Sequence, residues 1–294
     1  MEYIEVVADM IVESKRVVVF TGAGFSTESN IPDFRGPQGV WSKFDPDELN
    51  LPNFMRSEEI REKYWQVHRM FWEAVKDAQP NSGHYAVTEL HNIGKLDCVI
   101  TQNTDGLHQK SGTPDEKILE LHGTMHWVDC LDCRKRYPRD YAHQKMLAGE
   151  KVPRCDSCKG ILKPATVAYG QAMPERETHE AGVRSSGCDL FLAAGSSLVV
   201  YPAAQMPLLA KRGGARLVIM NLTETPHDHL ADVIIAEKTG ETLSRIVARA
   251  KEKLAAYDSP FILPTAPHSY AQCKPPGPLQ GEPSGRAFWS RPSG

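Results

Sequence analysis

The sequence has no apolar run long enough to cross a membrane and no excess of charge of one sign. A membrane-spanning helix needs roughly 20 consecutive apolar residues, and no segment of the 294-residue chain approaches that length. The formal net charge is −3, which gives no indication of direct nucleic-acid binding through a basic surface. Met1–Glu5 also lacks the basic and apolar regions of a signal peptide. We therefore expect a cytoplasmic protein that does not bind a membrane.

The sequence also lacks two features of an ordinary dinucleotide-dependent dehydrogenase. The apolar run 17–20 leads into Gly22-Ala23-Gly24, and such a turn lets backbone N–H groups approach a pyrophosphate. A third glycine would stand where Thr27 is, and a second strand ending in an acid would follow about twenty residues on. The next convincing strand is 96–101, so a long insertion of the kind that often forms a substrate loop comes first. Alone, the turn could also be only a tight turn.

Four of the seven cysteines have the spacing of a metal site. Cys130 and Cys133 form one C-x2-C pair, and Cys155 and Cys158 form a second. Two such pairs supply four thiolates, which complete a tetrahedron around one zinc ion. A closed set of four ligands predicts a structural zinc in a reducing compartment, and redox-active dithiols are the competing interpretation.

Further motifs follow in a fixed order along the chain. Strand 96–101 runs into Gln102-Asn103-Thr104-Asp105, and the segment Leu119-Glu120-Leu121-His122-Gly123 precedes the cysteines. Gly195-Ser196-Ser197 comes after them. In this order the motifs resemble the sirtuin family of NAD-dependent protein lysine deacylases, of the bacterial or archaeal kind, over roughly residues 1–250. The resemblance implies NAD as a consumed cosubstrate and acylated lysine on protein substrates as the partner.

Polar residues at the ends of strands are the candidates for catalysis. His122 follows a short strand-like run, and an imidazole with a pKa near ambient pH suits a general base, although a lone histidine is more often a packed or surface residue. Asn103 and Asp105 could hold ribose hydroxyls, a water or a carboxamide, or form an Asx turn that caps the next helix. The resemblance implies that His122 is the general base, that Asn103 contacts the nicotinamide ribose and that Asp105 contacts the nicotinamide amide.

The resemblance also assigns the remaining cofactor contacts. It implies that Phe34 covers the reacting ribose and that Arg35 approaches the phosphates or orients its loop, although Arg35 could equally form a surface ion pair with Asp33. The predicted catalytic residues are His122 and Asn103. The predicted cofactor-binding residues are Gly22, Ala23, Gly24, Ser26, Asp33, Phe34, Arg35, Gln102, Asn103, Asp105, Gly195, Ser196, Ser197 and Asn221.

The segment 164–171 is the predicted substrate contact. By strand alternation, Val167 and Tyr169 face one side and Ala168 the other. The resemblance implies that an acyl-lysine peptide adds here as a strand between two domains, in contact with Val167, Tyr169 and Gly170. Ala168, Tyr169 and Gln171 depart from the usual family pattern Val-Phe-Phe-Gly-Glu. The Tyr-x-x-Arg pair of family members that remove succinyl groups is missing from residues 64–71, so we expect neutral acyl groups.

The implied reaction begins when the acyl oxygen attacks C1′ of the nicotinamide ribose and nicotinamide leaves. His122 then removes a proton from a ribose hydroxyl, whose oxygen closes on the imidate carbon, and water finally releases lysine and O-acyl-ADP-ribose. Two alternatives remain at this point. The altered segment 167–171 leaves open an NAD-dependent ADP-ribosyltransferase or an NAD-binding sensor. An interaction protein with a zinc module and a degenerate nucleotide fold is the other, and Asn103, Asp105 and His122 argue against it.

The fold class that we expect is α/β, with a Rossmann-like parallel-sheet domain, a smaller zinc-binding module and a helical insertion. Periodicity predicts helices at 3–15, 57–77, 81–93 and 241–256, and strands at 17–20, 96–101, 189–194, 216–221 and 233–235. Residues 1–258 form the predicted catalytic domain. Its large domain takes about 1–35, 81–122 and 166–258, and its small domain takes the helical insertion at about 36–80 and the zinc module at about 123–165. Proline, glycine and serine dominate residues 259–294, which predicts a disordered tail. The alternative is a tail that folds over the sheet or docks on a partner through Phe288 and Trp289.

Overall fold

A computed structural model describes residues 2–36, 39, 42 and 44–258. The predicted tail at 259–294 lies outside the described residues. No helix in the described part of the chain is long and apolar enough to cross a membrane. The helices are α1 (Glu2–Glu13), α2 (Leu51–Arg56), α3 (Glu58–Val75), α4 (Ser82–Asn92), α5 (Leu107–Lys110), α6 (Arg139–Leu147), α7 (Glu175–Gly187), α8 (Met206–Arg212) and α9 (Thr239–Asp258). The strands are β1 (Val17–Thr21), β2 (Leu96–Thr101), β3 (Ile118–Glu120), β4 (Gly123–Cys130), β5 (Arg136–Pro138), β6 (Leu162–Thr166), β7 (Leu190–Ala194), β8 (Arg216–Met220) and β9 (Val233–Ile235).

Six strands form one parallel sheet in the order β3-β2-β1-β7-β8-β9. Strand β1 is buried along its whole length, which explains why its sequence is a continuous apolar run rather than an alternating one. The strand order reverses between β1 and β7, so the loops that follow these two strands diverge. A crevice opens at such a reversal, at the carboxyl ends of the strands, and ligands of α/β proteins bind there.

Helices cover both faces of this sheet. Buried side chains of α1, α4 and α9 pack on one face, including Ile11, Leu90 and Ile246. Side chains of α7 and α8 pack on the other face, including Ala181 and Ala210. The predicted α/β class with a Rossmann-like parallel sheet is therefore confirmed.

Strands β5, β4 and β6 form a second, antiparallel sheet in that order. Cys130 is the last residue of β4, and the other three cysteines lie in loops outside the strands. Trp65 of α3 is fully buried and packs in one cluster with Val128 of β4 and Cys155. Arg139, at the start of α6, places its guanidinium 5.0 Å from the Trp65 ring and donates a hydrogen bond to the His68 carbonyl oxygen. The helical insertion and the cysteine module are therefore packed together, although the domain limits drawn above stay a prediction.

Among the elements that the sequence did not predict is a 3-10 helix at Ala23–Ser29, which follows the turn after β1. A separate helix, α2, precedes α3, because Ser57 is extended and caps α3 by accepting a hydrogen bond from the backbone N–H of Ile60. Strand β6 ends at Thr166, so alternation does not apply to Val167–Tyr169: a turn follows in which Gly170 has a φ of +74°.

Candidate active site

One cavity of about 720 Å³ opens at the carboxyl ends of the parallel strands. All the predicted catalytic, cofactor-binding and substrate-binding residues line it. The loops after β1, β2, β3 and β7 contribute from the parallel sheet, and α3 and the turn after β6 contribute from the other side. Because the carboxyl ends of parallel strands share one edge of the sheet, motifs far apart in the sequence meet here.

The two glycine turns of the cavity interlock. The Gly22 N–H donates to the Ala194 carbonyl (3.1 Å), and the Gly24 N–H donates to the Gly195 carbonyl (2.9 Å). A Cβ on Gly22 would lie 2.7 Å from the Gly195 oxygen, and a Cβ on Gly24 would lie 2.9 Å from that same atom. Side chains at these positions would therefore push the backbones of the two loops apart. The glycines are needed for this contact between loops, in addition to any approach to a phosphate.

Three polar side chains form a buried network beside these turns. Ser26 Oγ donates to Asp105 Oδ2 (2.7 Å), and Asn103 Nδ2 donates to Ser26 Oγ (3.1 Å) and to the Gly22 carbonyl (3.0 Å). The Leu107 N–H donates to Asp105 Oδ1 (2.9 Å). Burial raises the pKa of Asp105 despite these donors. The network fixes the orientation of the Asn103 amide, and no described residue donates to its Oδ1.

His122 lies between β3 and β4, in the same cavity. Its Nδ1 is 3.1 Å from the Gln102 carbonyl oxygen. A carbonyl only accepts hydrogen bonds, so this contact places the ring proton on Nδ1 and leaves Nε2 with its lone pair. Burial lowers the pKa of His122, which keeps the imidazole neutral near pH 7. The arrangement suits a base that acts through Nε2.

The loop that carries Phe34 is closed by a hydrogen bond to the Asp33 side chain. The Gly36 N–H donates to Asp33 Oδ1 (3.0 Å), and the Phe34 ring lies 5.0 Å from the ring of Phe71 in α3. Arg35 Nη2 donates to the Tyr169 hydroxyl (3.1 Å). The ion pair between Arg35 and Asp33 that the sequence left open is not among the described contacts.

The remaining predicted cofactor contacts lie after β7 and β8. Gln102 Nε2 donates to Ser196 Oγ (2.8 Å), which links the loops after β2 and β7. Asn221 follows β8, and its Nδ2 donates to the Thr223 carbonyl oxygen (2.8 Å). Ser197 and Asn221 both line the cavity.

Sequence reasoning missed the contribution of α3 to the site. Tyr64, His68 and Phe71 line the cavity, and the rings of Tyr64 and His68 are 4.4 Å apart. Their spacing places them on one face of the helix, which is the signal that could have found them. Burial lowers the pKa of His68, so this histidine is a neutral polar group on a largely apolar wall.

The four predicted metal ligands converge on one point. The Sγ atoms of Cys130, Cys133, Cys155 and Cys158 all lie within 4.8 Å of one another. Cys130 and Cys158 are 3.5 Å apart, and Cys133 and Cys155 are 3.8 Å apart. Sulfurs bound at about 2.3 Å to a tetrahedral zinc ion are about 3.8 Å apart. The thiols therefore fit one zinc ion and leave no coordination position open.

Comparison with known proteins identifies the family of the chain. Residues 22–202 match the family model described as the Sir2 family. The chain is 44% identical over 244 residues to NAD-dependent protein deacetylase 1 of Bradyrhizobium diazoefficiens, which covers 83% of this chain and 95% of that protein. It is 43% identical over 252 residues to NAD-dependent protein deacylase 2 of Archaeoglobus fulgidus, with 83% and 94% covered. A solved complex of Sir2 with a p53 peptide and NAD+ superposes with a TM-score of 0.77 at 35% identity, over 85% of this chain and 99% of that chain. The chain therefore belongs to the Sir2 family, the sirtuins.

Proposed function

We propose that this protein is an NAD-dependent protein lysine deacylase that releases nicotinamide and O-acyl-ADP-ribose. The observation that carries the proposal is that His122 lines the same cavity as the network of Ser26, Asn103 and Asp105. The Gln102 carbonyl holds the His122 ring in place. Relatives that are named NAD-dependent protein deacetylases or deacylases support it.

The residues around the glycine turns suit a dinucleotide. When bound, NAD supplies the ribose carbon that takes the acyl oxygen and the nicotinamide that leaves. Asp105 is buried with a raised pKa, so a carboxamide N–H that donates to it would stabilise its charged form. Asn103 Oδ1 is oriented to accept from a ribose hydroxyl or a water. The backbone at Gly22–Gly24 and Gly195–Ser197 lines the cavity where the phosphates would lie.

His122 is the proposed general base. A neutral imidazole with its Nδ1 proton on a backbone carbonyl can take a proton at Nε2 from a ribose hydroxyl. The carbonyl oxygen of His122 also accepts a hydrogen bond from the Val167 N–H (2.9 Å). The base and the substrate segment are therefore positioned by one backbone contact.

The four thiols hold one structural zinc in this proposal, away from the reacting groups. A thiolate site favours a reducing compartment, and we place the enzyme in the cytoplasm on that basis. The substrate is an acylated lysine on a protein. Among the described residues that line the cavity, the lysine and arginine side chains are those of Arg35 and Lys238, and neither residue belongs to α3. The wall that α3 contributes thus lacks a cation for a carboxylate, which supports neutral acyl groups.

The test is the release of nicotinamide from NAD with and without an acetyl-lysine peptide. A deacylase releases nicotinamide in step with deacetylated peptide. An ADP-ribosyltransferase or a sensor would release it without deacetylation or not at all. We expect His122→Ala to keep its affinity for ADP-ribose and to lose about 10²–10⁴-fold in peptide turnover. Turnover close to that of the wild type in this variant would reject the assignment.

A further inference from the structure

The turn that carries Tyr169 is fixed to the helical insertion by its backbone. The Tyr169 carbonyl accepts a hydrogen bond from the Leu51 N–H at the start of α2 (2.8 Å). Gln171 closes the turn, because its N–H donates to the Ala168 carbonyl (3.0 Å) and its side chain accepts from the Ala168 N–H (3.2 Å). A Cβ on Gly170 would lie 3.3 Å from the Pro52 ring, so this turn also packs closely on α2. The backbone of Tyr169 is therefore fixed against α2, although 39% of the residue is exposed.

The loop opposite this turn carries the predicted phosphate contact. Asp33 closes the loop through the Gly36 N–H, and Phe34 rests against Phe71. Between these residues, Arg35 extends to the Tyr169 hydroxyl at 3.1 Å. This hydrogen bond joins two segments 134 residues apart in the sequence, and both line the cavity. It links the cofactor loop to the substrate turn.

We propose that the Tyr169 hydroxyl is a positioning group that holds Arg35 and its loop in place for NAD before NAD binds. The inference rests on the proposed function and concerns how its cofactor site is organised. A loop that is already ordered loses less conformational freedom on binding, and this raises affinity. The phenylalanine of the usual family pattern has the ring without the hydroxyl and cannot accept this hydrogen bond. The altered segment therefore changes NAD affinity, in addition to any effect on the substrate.

The direct test is the affinity of Tyr169→Phe for ADP-ribose, measured by titration calorimetry without peptide. Loss of a partly exposed hydrogen bond from a charged donor should weaken binding by about three- to tenfold. The KM for NAD should rise by a similar factor, whereas the melting temperature should stay within about 2 °C of that of the wild type, since the ring and the backbone contact with Leu51 remain. Tyr85→Phe, at a 54% exposed tyrosine on α4, is the matched control and should bind ADP-ribose like the wild type.

A double-mutant cycle separates this role from a general structural effect. In an Arg35→Met background, Tyr169→Phe should weaken ADP-ribose binding no further, because the donor is already gone. Unchanged affinity in the single Tyr169→Phe variant, or an equal loss in both backgrounds, would overturn the inference. A wild-type protein that binds ADP-ribose but does not deacetylate peptide would contradict the proposed function and leave this inference standing.

Discussion

Replacement of Gly195 by alanine should separate the two glycine turns of the cavity. Gly195 has a φ of +65°, in the left-handed region. A Cβ there would overlap the backbone nitrogen of Phe25 and lie 2.6 Å from the carbonyl carbon of Gly24. Both atoms belong to the backbone and cannot rotate away as the end of a flexible side chain would. The variant therefore combines a conformational cost with a steric one.

Gly94 allows the two costs to be told apart. Its φ is +70°, and nothing lies within 4 Å of the position that a Cβ would take. Gly94→Ala should therefore lower the free energy of unfolding by only about 1–2 kcal/mol, the cost of a left-handed backbone. Gly195→Ala should lower it by a similar amount and by about 1–3 kcal/mol more because of overpacking. The predicted difference in the free energy of unfolding between the two variants is thus about 1–3 kcal/mol.

Two measurements check this prediction. Each kcal/mol lowers the melting temperature by about 2–4 °C in a domain of this size, so Gly195→Ala should melt clearly below Gly94→Ala. Its affinity for ADP-ribose should fall about tenfold or more, because small displacements of a binding site are costly, whereas Gly94→Ala should bind like the wild type. The reasoning fails if the two variants have the same melting temperature and the same affinity.

Four shorter predictions concern ionisation, metal and substrate. Because burial lowers the pKa of His122, the acidic limb of kcat/KM should have its midpoint below 6.5, and a midpoint above that value would contradict the neutral base. Removal of zinc by a chelator, or Cys158→Ser, should unfold the sheet formed by β4, β5 and β6, and metal analysis should find one zinc per chain. Burial lowers the pKa of His84 to about 2 and of His108 to about 3. As the pH falls, these two histidines therefore take up protons in the unfolded chain before they do so in the folded protein. The free energy of unfolding should be constant above pH 6.5 and should decrease below pH 6.5 by up to about 1.4 kcal/mol per pH unit for each histidine. Denaturant titrations at pH 7 and 5.5 test this, and equal values would be inconsistent with it. Acetyl-lysine peptide should exceed succinyl-lysine peptide in kcat/KM, and the reverse order would show that the acyl site accepts a carboxylate.

The sequence predicted those parts of the site that depend on the parallel sheet. Strands β1, β2, β7 and β8 begin and end within one residue of their predicted limits, because their apolar runs are bounded by glycine or polar residues. Because these strands are parallel, the residues that follow them lie at one edge of the sheet, the edge of the carboxyl ends. By contrast, α7 was missed because its surface is polar and only Ala181 and Ser185 are buried. The turn at Val167–Gln171 was read as a strand because its closing contacts, to Leu51 and within the turn, come from tertiary structure.

The sequence left two interpretations for Asp105: a contact with a ligand, and an Asx turn that caps the next helix. The structure contains the turn, and Asp105 also lines the cavity. Its Oδ1 accepts from the Leu107 N–H two residues on, which is the Asx turn. Its Oδ2 accepts from Ser26. A carboxylate with two donors would ordinarily have a low pKa, yet burial raises the pKa of Asp105. Its charge is therefore less stabilised by the protein than it would be in water. A ligand that brings N–H donors into the cavity can supply what is missing, and a neutral carboxamide does so without adding a charge that must itself be desolvated. In the proposed function, the turn holds the carboxylate in place, and its burial would favour a ligand of this kind.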